Sequence, residues 1–473
     1  MVAEAVTPDQ LESVGLPAGE LTAWRAAEPV FAAPGSDDRE RLDRDAQTAA
    51  EYFRRGDELV RRLPPKRDRD ERQQAAAEAL LEASRAVRTR FLRVHADPIY
   101  AELTDDYGRF VRLDDLIYAA AERFPGLVPT RPQIAAERRS PQKEKDGLEI
   151  DQGIFVAQIL SRRKAGLHLV QAMLRPTAQA EELLPRFRAG GTLDLGPVLL
   201  ERAGNAGVVT LRNTRYLNAE DDSTVPPTET AVDLVLLDPD IEIGVLRGGV
   251  VDHPKHAGRR VFSAGINLTH LYDGRISFVD FYLIRDLGFV NKFYRGLAGP
   301  DFWPDEPEVT TEKPWVAAVE SFAIGGGCQL LLTMDRVLAE RGAYFNLPAR
   351  KEGIIPGAAN LRFTRFVGDR LARQGIMYER AFPADSPEGS FLCDEVVEPG
   401  QMGAAIARTV AGLTSSGVVS AAANRKALRV DQEPLDAFRR YMATYALDQA
   451  RCHLSPALIR NLEQHWDAKH RPR

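Results

Sequence analysis

The sequence contains two short glycine-bearing turns, Phe262-Ser263-Ala264-Gly265-Ile266-Asn267-Leu268 and Ala323-Ile324-Gly325-Gly326-Gly327-Cys328-Gln329. Each turn is predicted to end a strand and to open a helix. Glycine lets a backbone N–H approach a ligand closely, and the first N–H groups of a helix are unsatisfied donors with partial positive charge. Two such donors that converge on one point would form an oxyanion hole, which stabilises negative charge on a substrate oxygen.

Length and composition limit the class of protein. The 473 residues suggest two or three domains, at ~100–200 residues per domain. Apolar residues make up 44% of the chain, which predicts a folded globular protein. The net charge of −6 is mild for this length and argues against a nucleic-acid partner. No apolar run approaches the ~18–20 residues that cross a bilayer, so we expect no membrane association.

The cysteine content and the N-terminus predict the compartment. The three cysteines, Cys328, Cys393 and Cys452, lie far apart and form no C-x-x-C pair, so neither a disulfide framework nor a cysteine zinc site is expected. Residues 1–9 have neither the basic start nor the apolar stretch of a signal peptide. We therefore expect a cytoplasmic protein.

The N-terminal part of the chain, residues 1–190, is predicted to be an all-helical domain. Apolar residues recur at three- and four-residue steps or their multiples from Leu42 to Leu63, before Pro64-Pro65, and again from Leu80 to Val94. The polar stretch 131–151 is interpreted as a surface connection. One further helix is predicted around residues 154–174.

Strand and helix patterns alternate after Gly190-Gly191. This alternation favours β-α-β crossovers and a largely parallel sheet, so the fold class is α/β, with a catalytic core at 191–430. Residues 431–473 are predicted to be a helical segment that packs on the core or on a neighbouring subunit. The predicted strands are a hairpin at 198–200 and 208–211 and runs at 241–246, 316–319 and 337–339, with helices near 231–237, 276–297 and 329–334.

An ordered set of motifs extends over roughly residues 198–430. It comprises Leu217-Asn218-Ala219, the two glycine turns, Gly353-Ile354-Ile355-Pro356-Gly357, Asp394-Glu395-Val396-Val397 and Asn424-Arg425-Lys426-Ala427-Leu428. This order resembles the crotonase (enoyl-CoA hydratase/isomerase) superfamily, which implies a β-β-α superhelical core. The resemblance also implies that the N–H groups of Ile266 and Gly326 hold the thioester carbonyl of a CoA substrate. The alternative is that both turns merely connect tightly packed elements.

Two positions depart from the hydratase pattern. Hydratases of this family carry a glutamate directly after Gly-Gly-Gly-Cys and another after a proline some twenty residues later. This chain has Gln329 at the first position and Ala349 at the second. Glutamine cannot take a proton and alanine can neither donate nor accept a hydrogen bond, so ordinary hydration is not expected.

The departures resemble one branch of the superfamily, which joins a helical N-terminal extension to such a core. The resemblance implies an arylacetyl-CoA substrate with O₂ as co-substrate, neither metal nor organic cofactor, and an arylglyoxylate product used in glycopeptide antibiotic biosynthesis. Candidate walls of an apolar O₂ pocket are Ile266, Leu268, Ala349 and Ile354; ordinary core packing is the alternative for each. The eight histidines show no metal-binding spacing.

Polar residues that could hold ring hydroxyls are Glu220, Arg285 and Gln329. Arg285 lies in an apolar segment, where a buried charge needs a partner, so an Arg285–acid pair without a ligand is the alternative. Glu352, in the run Arg350-Lys351-Glu352, is interpreted as a solvated charge rather than as a base. The remaining substrate contacts that the resemblance implies are His253, Lys255 and His256 near CoA, Ala264, Gly265, Asn267 and Leu268 in the first turn, and Ile355, Pro356 and Gly357 along the pantetheine tunnel. For His253, Lys255 and His256 a plain exposed loop is the alternative.

Other functions stay open at this stage. A thioesterase, decarboxylase or isomerase would use the same oxyanion hole, and a non-catalytic scaffold could use the helical domain for assembly. Intact glycine turns argue against the scaffold. The resemblance implies a homo-oligomer, either a trimer or a dimer of trimers.

Overall fold

The computed structural model describes residues 11–32, 39–301 and 309–470. The stretch 1–9, which bears on a signal peptide, lies outside the described residues. No helix within the described ranges is long and apolar enough to cross a membrane. The main helices are Ala18–Ala26, Arg39–Arg62, Glu71–Leu103, Leu113–Arg123, Arg131–Glu137, Glu149–Ser161, Arg163–Met173, Ala178–Gly190, Val225–Leu237, Leu268–Tyr272, Ile284–Leu287, Phe289–Arg295, Gly326–Leu331, Ala349–Glu352, Ala359–Tyr378, Met402–Thr414, Val419–Gln432, Leu435–His453 and Pro456–Trp466.

The chain divides into two compact units. The first contains Met1–Leu169 and Met442–Leu454, and the second contains Val170–Tyr441 and Ser455–Arg473. Helix Ala178–Gly190, which we assigned to the N-terminal domain, is thus grouped with the second unit. The boundaries at 190 and 430 stay predictions of the domain organisation.

The first unit is helical, as its apolar periodicity predicts. Helix Arg39–Arg62 ends just before Pro64-Pro65, because a proline ring cannot continue a helix. Helix Glu71–Leu103 begins with a capping box, in which Asp70 accepts from the N–H of Gln73 while the Gln73 side chain accepts from the N–H of Asp70. The predicted apolar stripe is buried, including Leu42, Ala49, Phe53 and Leu63.

Two predictions for this unit are wrong in part. Residues 131–151 are only partly a surface connection: Arg131, Pro132 and Gln133 are exposed, but the stretch contains helix Arg131–Glu137 and buries the side chains of Lys145 and Glu149. The Glu137 carboxylate accepts from the N–H groups of Gly147 and Leu148, so the polar backbone around Lys145 and Glu149 can be buried. The helix predicted at 154–174 is interrupted at Arg162, which has an extended backbone with ψ 126°.

The second unit is built on a seven-stranded mixed sheet. Its order is β1-β2-β3-β4-β7-β9-β12, in which β1, β2 and β3 are antiparallel and β3, β4, β7, β9 and β12 are parallel. The predicted hairpin and the other strand predictions are confirmed. The strand bounds are β1 Thr192–Asp194, β2 Val198–Ala203, β3 Ala206–Leu211, β4 Ile243–Gly248, β5 Leu297–Ala298, β6 Thr310–Thr311, β7 Trp315–Val319, β8 Phe322–Ile324, β9 Arg336–Glu340, β10 Tyr344–Asn346, β11 Phe382–Pro383 and β12 Glu395–Val397.

A second, three-stranded sheet of order β11-β10-β8 carries the glycine turn. Strand β8 pairs in parallel with β10 and ends at Ile324, directly before the triple glycine. Small apolar side chains of β7 and β9 are fully buried, which lets the layers of the core approach closely. The pairing of β8 with β10 therefore fixes where the triple glycine begins.

Candidate active site

The two glycine turns lie side by side. Ser263 forms a parallel bridge with Ala323, and the Ile324 N–H donates to the Ser263 carbonyl at 3.0 Å. Gly265 has φ +80°, and a Cβ built on it would lie 2.7 Å from the Ile324 carbonyl oxygen and 2.9 Å from the Gly326 nitrogen. Only glycine fits so close to a neighbouring backbone in this conformation. The structure thus brings the two turns together, as the motif order predicts.

Their peptide planes are oriented by hydrogen bonds on the opposite side. The carbonyl of Gly265 accepts from the Glu220 N–H at 2.7 Å, and the carbonyl of Gly325 accepts from the Gln329 N–H at 3.0 Å. Carbonyl and N–H point in opposite directions across a trans peptide, so the N–H groups of Ile266 and Gly326 point away from these bonds. Among the hydrogen bonds of the described residues, none is donated by either N–H. Both are therefore available to a ligand oxygen.

A buried polar network lies behind the second turn. Arg285 binds both carboxylate oxygens of Glu220, at 2.9 and 2.8 Å, and its third nitrogen donates to Oε1 of Gln329 at 2.9 Å. It also donates to the Gly326 carbonyl at 3.1 Å. All three side chains are buried. The Arg285–acid pair of the alternative interpretation is therefore present, and it includes Glu220.

This network still leaves donors for a ligand. Because Oε1 of Gln329 faces the guanidinium, its Nε2 carries the free end of the amide, and no hydrogen bond from Nε2 occurs within the described part of the chain. The oxygen side is closed by Gly357, whose built Cβ would lie 2.6 Å from Oε1. Contacts to its Oε1 thus hold Gln329 in one orientation, and its Nε2 remains available to a ligand.

Gly357 belongs to the predicted tunnel turn. Its carbonyl accepts a hydrogen bond from the Tyr441 hydroxyl, and its built Cβ would approach the buried carboxylate of Asp286 at 2.5 Å. Pro356 is buried, while Ile354 and Ile355 are partly exposed. Ala349 is buried, and its carbonyl accepts from the N–H of Ile354 at 3.1 Å. The roles of these residues in a tunnel or an oxygen pocket stay predictions.

Asn267 in the first turn has a structural function. Its Oδ1 accepts from the His270 N–H and caps helix Leu268–Tyr272, while its Nδ2 donates to Asp221 at 3.0 Å. Burial opposes ionisation of Asp221, but hydrogen bonds from His270, Ser223 and Asn267 outweigh it and lower the pKa of Asp221 to about 2. This side chain orients the turn. Ala264 and Leu268 on either side of Ile266 are partly exposed.

The loop with His253, Lys255 and His256 precedes the first turn. Lys255 is exposed, whereas the His256 ring packs edge-on against Phe322 at 5.4 Å between centroids. Burial, followed by the positive charges of Arg259, His253 and Lys255, lowers the pKa of His256. The loop is therefore electropositive at Lys255, and its contact with CoA stays a prediction.

Glu352 is the residue that the sequence interpretation placed wrongly. The carboxylate is not a solvated charge: a Cβ built on Gly325 would lie 3.8 and 3.9 Å from its two oxygens. Lys351 and Arg350, by contrast, pair outward with Glu379 at 3.2 Å each. Burial, and then the charge of Glu379, raise the pKa of Glu352 to about 8. The charged run Arg350-Lys351-Glu352 predicts three exposed side chains, but Glu352 turns toward the glycine turn.

The described residues contain no cluster of three or more His, Cys, Asp or Glu side chains that could hold a metal ion. The expectation that the protein needs no metal stays a prediction.

Comparison with known proteins identifies the class. A family model for enoyl-CoA hydratase/isomerase matches residues 307–446. A (3,5-dihydroxyphenyl)acetyl-CoA 1,2-dioxygenase of Amycolatopsis orientalis is 51% identical over 406 residues, which cover 86% of this chain and 92% of that protein. The chain therefore belongs to the crotonase (enoyl-CoA hydratase/isomerase) superfamily, and the expected fold is confirmed.

Other relatives and solved structures match a smaller share of the chain. A probable enoyl-CoA hydratase of Rhizobium meliloti is 31% identical over 208 residues, covering 43% of this chain and 70% of that protein. The solved structure of an enoyl-CoA hydratase from Mycobacterium avium subsp. paratuberculosis aligns with 59% of this chain and 99% of its own, at 19% identity and a TM-score of 0.47.

Proposed function

We propose that this protein is a dioxygenase that converts (3,5-dihydroxyphenyl)acetyl-CoA and O₂ to 3,5-dihydroxyphenylglyoxylate and CoA. The observation that carries the proposal is that the adjacent turns leave the N–H groups of Ile266 and Gly326 without a hydrogen bond among the described residues, while positions 329 and 349 lack the carboxylates of a hydratase. The likeness to the Amycolatopsis orientalis dioxygenase over most of the chain supports the same substrate.

The oxyanion hole performs the first step. The thioester α-proton is weakly acidic, and it leaves when the enolate oxygen receives preorganised hydrogen bonds from Ile266 and Gly326. Removing one such donor typically costs ~10²–10³ in rate. The aryl ring delocalises the carbanion, and the buried network around Arg285 positions Gln329 to donate to a ring hydroxyl.

The oxygenation steps balance without any other reductant. The enolate gives one electron to O₂, and recombination of the two radicals forms a Cα-peroxide. The terminal peroxide oxygen attacks the thioester carbonyl and expels the CoA thiolate. The second α-proton then leaves to solvent, its C–H electron pair forms the ketone C=O bond, and the O–O bond breaks onto the carboxylate oxygen, which leaves the α-keto acid with both oxygen atoms of one O₂ molecule. Since the substrate supplies the electrons, we propose that neither metal nor organic cofactor takes part.

Labelled oxygen tests this proposal directly. Purified protein is incubated with the thioester, ¹⁸O₂ and a chelator, while dissolved O₂ and free thiol are followed. We expect one O₂ consumed per CoA released, and two ¹⁸O atoms in the keto acid. Release of CoA without O₂ uptake would identify a thioesterase instead and would overturn the dioxygenase proposal.

We further propose that the enzyme acts in the cytoplasm as a homo-oligomer, a trimer or a dimer of trimers. The family resemblance supports this assembly, and light scattering of the full chain measures it. A monomer at micromolar concentration would contradict it.

A further inference from the structure

We infer that Glu352 is the base that removes the α-proton of the acyl-CoA thioester. The inference rests on the proposed function and adds a group to it, because neither Gln329 nor Ala349 can accept a proton. A proton acceptor must reach the carbon next to the thioester carbonyl, whose oxygen lies ~3 Å from the hole's two donors.

Among the described residues, the carboxylates of Glu220 and Glu352 border the second glycine turn, and Glu220 is already occupied. The Glu220 carboxylate lies against Gly326, but both of its oxygens bind the Arg285 guanidinium. Such a bidentate pair occupies both oxygens of the acid. The Glu352 carboxylate lies against Gly325, next to the Gly326 N–H, and it has no hydrogen bond or ion pair within the described ranges of the chain.

The local fold directs this side chain inward. Helix Ala349–Glu352 ends at Gly353, which has φ +80°. A Cβ built on Gly353 would lie only 3.1 Å from the Cα of Leu458, so a larger residue would be crowded there. Helix Pro456–Trp466 therefore packs directly on the turn after Glu352, and it presents the neutral side chains of Leu458 and Asn461 there. The arrangement leaves the carboxylate facing the glycine turn.

The charges around Glu352 suit a base. Glu379 repels its anion, and Lys351 on its own helix attracts it, with burial as the largest influence. Burial and then Glu379 raise the pKa of Glu352 to about 8 against the opposing charge of Lys351, so the carboxylate is basic enough to compete for a carbon-bound proton. In the step itself the Cα–H bond breaks, an O–H bond forms on Glu352, and the electron pair moves onto the enolate oxygen. The protonated Glu352 later gives its proton to the departing CoA thiolate, which restores the resting enzyme.

Proton exchange without oxygen isolates this step. Under argon in D₂O, wild-type protein should exchange the α-protons of (3,5-dihydroxyphenyl)acetyl-CoA, as followed by NMR. Glu352→Gln, which preserves size, should exchange ~10²–10⁴-fold more slowly, with substrate affinity in calorimetry changed less than about threefold. Glu379→Gln is the matched control: it should keep the exchange rate at high pH and shift the rise of rate with pH to lower pH, because one repelling charge is gone.

The outcomes separate the two proposals. Exchange by Glu352→Gln at the wild-type rate, or no exchange by the wild type, would overturn the role of Glu352. Glu352→Asp, which keeps the acid, should restore part of the rate if Glu352→Gln folds poorly; a fully inactive, folded Asp variant would also count against it. Exchange without aerobic O₂ uptake in the wild type would instead overturn the dioxygenase and leave Glu352 as the base.

Discussion

Replacing Gly265 by alanine tests whether the contact between the two glycine turns determines activity. A Cβ at Gly265 would lie 2.7 Å from the Ile324 carbonyl oxygen and 2.9 Å from the Gly326 nitrogen, whereas ordinary contacts begin at 3.4 Å. The turns would have to separate by about 0.5–0.7 Å, the difference between these values. Because the Gly326 N–H is one of the proposed donors, this displacement changes the geometry of the hole.

The expected magnitude has two parts. Alanine at the left-handed φ of +80° costs about 1–2 kcal/mol in the folded state, and the forced overlap adds about 1–3 kcal/mol. A misplacement of 1 Å in an active site costs ~10²-fold in rate, so we expect kcat/KM to fall ~10–100-fold. Gly342→Ala is the matched control, since Gly342 has φ +88° and nothing within 4 Å of a built Cβ.

Initial rates of O₂ uptake and urea unfolding of both variants provide the measurement. Gly342→Ala should lose only the backbone part of the stability, about 1–2 kcal/mol, and keep its activity. If Gly265→Ala retained kcat/KM within twofold of Gly342→Ala, the close contact of the turns would not matter for catalysis, and the reasoning would fail.

Three other changes have defined outcomes. Arg285→Met leaves the Glu220 carboxylate buried without its partner, so unfolding in urea should show a loss of about 3–5 kcal/mol; an unchanged midpoint would contradict this. Ala349→Val should raise KM for O₂ several-fold while anaerobic proton exchange continues; equal effects on both would argue against an oxygen pocket there. Burial raises the pKa of Glu352 to about 8 from the ordinary 4.5, so its contribution to stability is complete below pH 4.5 and is lost as pH rises through 8. The Tm of the wild type should therefore fall relative to that of Glu352→Gln as pH rises from about 4.5 to about 8, and parallel curves would contradict the raised pKa.

Much of the active-site scaffold was predictable from local patterns. The strands and their hairpin follow from runs of β-branched residues bounded by turn residues, and helix Arg39–Arg62 follows from its apolar stripe and the prolines after it. The two turns were recognisable from their glycines. Gly265 and Gly325 have φ of +80° and +52°, which other residues rarely adopt, so the sequence must place glycine there.

Errors arose where burial overrode local polarity. The polarity of residues 131–151 indicates a surface connection, yet Glu137 accepts from the N–H groups of Gly147 and Leu148 and allows the end of the stretch to be buried. The run Arg350-Lys351-Glu352 read as uniformly solvated, since nothing in a charged tripeptide says which member faces the core. The first case depends on hydrogen-bond partners ten residues or more away in the chain. The second depends on the direction of one side chain, that of Glu352.

The sequence alone therefore determined the superfamily, the two glycine turns and the absence of hydratase carboxylates at positions 329 and 349, because residue type and spacing suffice for these features. Only the tertiary structure decided that Glu220 pairs with Arg285, 65 residues away, and that Glu352 lies beside Gly325. Pairing of buried charges is set by which groups the fold brings within hydrogen-bond distance, and no local periodicity encodes that distance.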